Sequence, residues 1–355
     1  MKIQSLLFVL ILALSHWSCS VLKNNTSKNL LKIIQKEDQN RVDVLVGDDL
    51  ITSYQWPESI FKPVLYPIRT LDGKEVTRGF PIAPREGERA DHKHHVGMWL
   101  NYGNVNGIDF WGHGAEGLTR SNLGTIEHGE IQEFSSNNNT GKLKVSATWV
   151  GPMGNDMIAE ETAFNFRVVD NYTFLIDRTT TLTAVNGNAN FNDTKEGSFA
   201  IRVNRNLELP SEGGVTVLEK EGEEWKKVKK ESNKNVSGNY LNSYGVTGLE
   251  VWGKRARWVS LSGEIDGNEV SLIIFDHPEN VNYPTYWHAR GYGLFSANPF
   301  GVKDFTDGDE ELNFSIDNGT SFTMKYRTII CSGKTLSDEE INALADEFGR
   351  PNGSF

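Results

Sequence analysis

The sequence predicts an all-β protein, a large antiparallel β-sandwich with a short C-terminal helix. Three observations point there. The 355 residues hold 34 Gly and 10% aromatic side chains, the balance of many strands joined by tight turns. Residues 143–150 place Leu143, Val145, Ala147 and Trp149 at every second position, the period of a half-buried strand. An amphipathic helical pattern stands out only at the C-terminus. At 38% hydrophobic and 23% charged, the chain is neither disordered nor a bundle of membrane helices. Its net charge of −11, without a basic block, argues against nucleic acid as a partner.

In chain order, residues 1–20 read as a secretory signal. Met1-Lys2 precedes an apolar run over 3–14, and small residues follow at Ser15, Ser18, Cys19 and Ser20. The run is shorter than the ~20 residues that span a bilayer. Cys19 stands where a bacterial lipoprotein carries its lipidated cysteine, and lipidation and ordinary cleavage both fit. The expected location is the periplasm, or the outer membrane through a lipid anchor. Residues 21–34 read as a polar linker, 35–335 as the sandwich and 336–355 as helix and tail. Two Cys cannot build a disulfide scaffold, and Cys331 reads as a small hydrophobe in a buried strand.

Strand 42–46 precedes the turn Gly47-Asp48-Asp49. Strands 163–168 and 172–177 flank Asp170-Asn171, a hairpin turn. Residues 270–275 are continuously apolar, as an inner strand requires, and strand 321–330 is entered through Asn318-Gly319. The Glu/Lys-rich residues 219–234 read as a solvated loop or exposed hairpin. The helix covers 336–348. Ser337 and Glu340 have capping-box spacing, Ile341, Leu344, Ala345 and Phe348 form one face, and Gly349 and Pro351 end it.

Polar chemistry concentrates in four clusters. The first is Asp91-His92-Lys93-His94-His95. Read as a strand, it puts His92 and His94 on one face. That spacing suits a sugar cleft with imidazoles as hydrogen-bond donors or general acids. It also suits a metal pair completed by Asp91, His113 or His128, or a structural polar strand. The second cluster spaces Asp109, Trp111 and His113 by two, an acid, an aromatic plane and an imidazole, with Trp111 reading equally as core. The third holds Asp193, Lys195, Glu196 and Arg202, a salt-bridge network or a substrate-gripping acid–base group. The fourth holds His277 after an inner strand, then Tyr286, His288 and Arg290 at alternate positions. Arg290 suits a carboxylate or sulfate. No phosphate loop, Gly-x-Ser-x-Gly, Cys-x-x-Cys or His-Glu-x-x-His occurs, so no cofactor is expected.

Together these clusters resemble the PmoA family of exported bacterial proteins, whose name is borrowed from methane oxygenase. The resemblance runs through Lys62-Pro63-Val64-Leu65-Tyr66-Pro67, Thr77-Arg78-Gly79, Asp91-His92-Lys93-His94-His95, Gly103-Asn104-Val105-Asn106-Gly107-Ile108-Asp109-Phe110-Trp111, Asp193-Thr194-Lys195-Glu196-Gly197 and Arg290-Gly291-Tyr292-Gly293-Leu294-Phe295-Ser296-Ala297-Asn298-Pro299. It implies a role in bacterial polysaccharide utilisation. More distantly, a His-rich loop with acids on a large sandwich is similar to the galactose-mutarotase supersandwich, a likeness of fold alone. The expected function is acid–base processing of an oligosaccharide by a hydrolase, lyase or epimerase. His94 or His95 is the expected acid and Asp193 or Glu196 the expected base, with His288 as a further catalytic candidate. His92, Asp109, Trp111, His113, Lys195, Arg202, His277, Tyr286 and Arg290 are the expected substrate contacts. The alternatives are glycan binding without turnover on Trp99, Trp111 and Trp287, or a metal enzyme built on His92 and His94. The sequence assigns no oligomeric state.

Overall fold

The computed structural model describes residues 30–115 and 120–350. The expected signal, Cys19 and most of the expected linker lie outside the described residues. One sheet of eight strands has the spatial order Leu31–Lys36 (β1), Arg41–Val46 (β2), Asp49–Gln55 (β3), Val64–Ile68 (β4), Met98–Tyr102 (β5), Gly197–Arg202 (β11), Leu294–Asn298 (β18) and Tyr286–Ala289 (β17). The other orders Asn239–Asn242 (β14), Trp258–Ile265 (β15), Asn268–Asp276 (β16), Ser321–Ser332 (β20), Thr173–Ala184 (β9), Asp156–Val168 (β8), Thr140–Val150 (β7) and Thr125–Asn137 (β6). Their ladders are antiparallel. Two short pairs stand apart, Ala189–Phe191 (β10) with Phe314–Ile316 (β19), and Val215–Glu221 (β12) with Glu224–Lys230 (β13). Val302–Phe305 (α1) is a single turn, and Asp338–Phe348 (α2) is the C-terminal helix.

This is the expected antiparallel sandwich. Alternation builds it: in β7, Leu143, Val145, Ala147 and Trp149 are buried while their neighbours are half-exposed. The central core lies between the sheets and joins residues of both, among them Val44, Met98, Leu100, Phe199 and Ile201 with Phe164, Phe166, Phe174 and Ile274. The Glu/Lys segment is an exposed hairpin, β12–β13. Strand order begins at Leu31, inside the segment expected to be linker, because residues 31–36 pair with β2 along their whole length.

Helix α2 covers the outer face of the second sheet. Ser337 Oγ accepts from the Glu340 amide at 3.3 Å, and the Glu340 carboxylate accepts from the Ser337 amide at 2.8 Å. Ile341 and Phe348 pack on Leu175, Trp258, Phe275, Ile329 and Cys331. Beneath the helix lies a bidentate ion pair, with Arg327 Nε and Nη2 on the two Asp177 oxygens at 2.7 and 2.9 Å, and Phe348 stacks over the guanidinium. Removing Asp177 takes both short ion contacts from a buried guanidinium whose contact with Glu347 is longer, at 3.7 Å, and weakly compensated buried charge is costly. Asp177→Ala is expected to lower unfolding free energy by about 3–5 kcal/mol, read from urea denaturation.

Candidate functional site

In β5, β11, β18 and β17 alternate residues divide between two faces. Met98, Leu100, Phe199, Ile201, Phe295, Ala297, Trp287 and Ala289 enter the central core. Trp99, Ala200 and Leu294 point the other way, into a second cluster with Val96 and Trp111. Arg202, Ser296 and His288 share that outer face by the same alternation. The cross-strand partners Trp99↔Ala200, Ala200↔Ser296 and Ser296↔His288 form one row across four strands. Two small side chains thus lie between an indole and an imidazole whose strands are about 14 Å apart.

Loops cover this face, and the loop over residues 89–95 is held by Arg78. Its buried guanidinium donates to the carbonyls of Arg89 (3.3 Å), Asp91 (2.8 Å), His92 (2.9 Å) and His95 (2.9 Å), and to Asp91 Oδ1 at 2.7 Å. Arg202 reaches the same Asp91 oxygen at 2.7 Å. Burial pushes the Asp91 carboxyl up, but His92 and the two guanidiniums outweigh it and hold it well below the usual range. Gly97 closes the loop at φ +60, where a Cβ would sit 2.3 Å from the Leu65 carbonyl oxygen, so only glycine fits.

The segment is therefore a turn and not the expected strand. The His95 amide donates to the His92 carbonyl at 2.9 Å, and His92 has φ +43. His92 stacks on His95 at 4.7 Å and on Tyr292 at 5.2 Å, nearly parallel to both, while His94 meets it edge-on. His95 Nδ1 faces the Arg202 guanidinium at 3.4 Å, and its Nε2 and the Trp111 Nε1 are buried without a protein partner. Burial lowers the pKa of both His94 and His95 far below the ordinary value, so both rest as neutral imidazoles rather than as the imidazolium that the expected acid role calls for. Lys62, also buried, donates to the His94 carbonyl at 2.5 Å and lies over Trp99. Burial brings its ammonium pKa down to about 7.

His288 is placed by a main-chain atom. Its Nδ1 lies 2.7 Å from the Lys195 carbonyl. A carbonyl only accepts, so Nδ1 carries the proton and Nε2 presents a lone pair. Burial, aided by the Arg290 charge and opposed by that hydrogen bond, lowers its pKa to about 3. Glu196 sits one residue beyond Lys195, its carboxyl raised by burial against the pull of Lys195 and His92. No hydrogen bond or ion pair holds that carboxyl among the described residues.

The other predicted residues divide. Arg202, Lys195, Arg290 and His92 join His288 and Glu196 around this face. Tyr286 shares His288's side of β17 but packs on Phe305 and under Arg255. Asp193 was expected as a base, yet its carboxylate accepts from the amides of Lys303, Leu312 and Asn313 at 2.8–3.0 Å. Asp109 is similarly engaged by the Trp111 and Gly112 amides and Arg120. Trp111 is buried beside Trp99. His113 stacks on Phe61 and shares a separate hollow with His94. His277 belongs to the other sheet, where its ring meets Phe348 edge-on. Trp99, Trp111 and Trp287 are all buried and present no open platform. Among the described residues no three His, Cys, Asp or Glu side chains converge as metal ligands. Arg78, Lys62, Trp252 and Tyr292 were missed as site residues.

Residues 41–346 match the family described as a family of unknown function (DUF6807). The chain belongs to DUF6807. PmoA, the family named for the sequence motifs, is not the one matched. No curated protein matches the chain in sequence. Among solved structures, the DUF6807 chain is similar to a GalM/aldose epimerase homologue from C. elegans, with 10% identity, 86% of this chain and 99% of that one covered, and a TM-score of 0.30. It is also similar to a galactose 1-epimerase from Lactobacillus acidophilus NCFM, with 10% identity, the same coverage and a TM-score of 0.35.

The native Asp91 takes up its proton only at a pH below the unfolded value of about 3.9. The stability it contributes is therefore present above about pH 4 and is lost as pH falls below it. Asp91→Asn is expected to lower stability at neutral pH and to flatten its decline in acid, measured by urea unfolding between pH 2 and 7.

Proposed function

We propose that this DUF6807 protein is an acid–base enzyme acting on a carbohydrate, with Glu196 as proton donor and His288 Nε2 as proton acceptor. One observation carries the reading. Asp91, Asp109 and Asp193 are each held by guanidiniums or backbone amides, whereas the Glu196 carboxyl is not. The next residue back, Lys195, holds His288 Nδ1 through its carbonyl and so leaves the lone pair on Nε2. Burial favours the neutral form of both groups, and a neutral acid together with a neutral base is the resting state of general acid–base catalysis.

Most glycoside hydrolases use two carboxyl groups, one of them a free carboxylate. Here the second acid of the cluster, Asp91, is engaged by two arginines. One carboxyl set against one imidazole suits moving a proton off one sugar atom and onto another, which favours epimerisation or elimination over hydrolysis. The setting we propose is an exported protein that works on polysaccharide-derived sugars, with the apolar run over residues 3–14 as the support for export.

The test is to incubate the purified protein with sugars and oligosaccharides and follow the products by proton NMR. Glu196→Gln and His288→Asn are each expected to slow turnover by about 10²–10⁴-fold with circular dichroism unchanged. Full activity in both variants would sink the assignment. The pH profile is a second check. Activity is expected to rise as His288 loses its proton near pH 3 and to fall as Glu196 ionises above the ordinary 4.5. This gives an optimum on the acid side of neutrality in kcat/KM measurements.

A further inference from the structure

We propose that the substrate carries a negative charge, a uronate carboxylate or a sulfate ester, which docks on Arg290 beside the reacting pair. The inference rests on the acid–base reading for where the sugar lies and adds the chemical class of what is bound.

Arg290 lines a hollow of about 460 Å³ with Leu209, Pro210, Leu249, Trp252 and Tyr292. Its guanidinium lies 6.0 Å from the Trp252 ring centroid and 5.7 Å from that of Tyr292. Among the described residues it makes no side-chain hydrogen bond or ion pair. The other guanidiniums beside this hollow each meet a carboxylate. Arg78 and Arg202 share Asp91, and Arg89 Nε meets Glu208 at 2.7 Å. Asp91 and Glu208 are engaged by those other arginines, and burial favours the protonated form of Glu196. In a chain of net charge −11, an unmatched arginine in a hollow is not a surplus of composition.

The chemistry of the lining narrows the ligand. A guanidinium presents a planar fork of donors that meets a carboxylate or sulfate with two parallel hydrogen bonds. Trp252 and Leu249 supply the apolar surface on which the C–H face of a sugar rests. Arg290 follows His288 by two residues, about 7 Å of extended chain, a span that one sugar unit bridges. The acidic group and the reacting atoms would then belong to the same residue of the oligosaccharide or to its immediate neighbour.

The test is calorimetric titration of the Glu196→Gln protein, which separates binding from turnover. One pair of probes is a galacturonate trisaccharide and its methyl ester. The other is a sulfated galactan trisaccharide and its desulfated form. At least one charged probe is expected to bind about 10- to 100-fold more tightly than its neutral partner, and the pair that shows the preference distinguishes carboxylate from sulfate. Adding Arg290→Ala should bring that ratio near unity. Arg290→Lys, which keeps the charge and loses the fork, should retain part of it and controls for folding. Equal affinity within both pairs, no binding of either charged probe, or a preference unchanged by Arg290→Ala would overturn the proposal. Failure of the acid–base reading shows separately, as undiminished turnover in Glu196→Gln itself.

Discussion

One carboxylate oxygen, Asp91 Oδ1, lies between two buried guanidiniums and ties the loop over the site to the sheet beneath it. Arg202 belongs to β11, so its position is fixed by the strand ladder. Arg78 collects four carbonyls of one short segment and so dictates the path of that segment. Buried, these three charges need each other, since any one left alone is costly. Their arrangement places His92 and His95 in a stack and turns His94 aside. The candidate face is thus a property of the sandwich extended into a loop by electrostatics.

The same stitching recurs across the outer face of the first sheet. This face is polar yet buried, because loops take the place of a further layer. Asn101 donates to the Phe110 carbonyl, Asn298 to that of Thr194 and Ser296 to that of Gly197. The two asparagines hold loops and Ser296 holds the first residue of β11, each through a backbone acceptor, which satisfies groups that would otherwise be buried without partners. Sites built on strands in this way hold their geometry better than sites carried by free loops.

Much of the fold was legible in the sequence because it depends on local periodicity. The alternation in β7, the apolar run of β16 and the capping box of α2 each report a near-neighbour constraint. The candidate site was legible in position but not in roles. His92-Lys93-His94-His95 read as a strand because the grip of Arg78, 11 to 17 residues away in sequence, leaves no trace in local spacing. Asp193 and Glu196 looked alike as acids. Only the folded loop shows that backbone amides surround the first and not the second. Lys62 did leave a signal, a lone cation in the apolar run between Phe61 and Val64. Trp99 and Trp111 looked like platforms because composition does not say which aromatic surface another aromatic will cover.

The bond between His288 and the Lys195 carbonyl has a consequence for how this protein can change. The tautomer of His288 is set by a main-chain oxygen, which no side-chain replacement at position 195 deletes. Lys195 itself is exposed, so the residue there can drift in sequence while the lone pair stays on Nε2. Mutation can reshape what surrounds this imidazole far more readily than it can alter which ring nitrogen carries its proton.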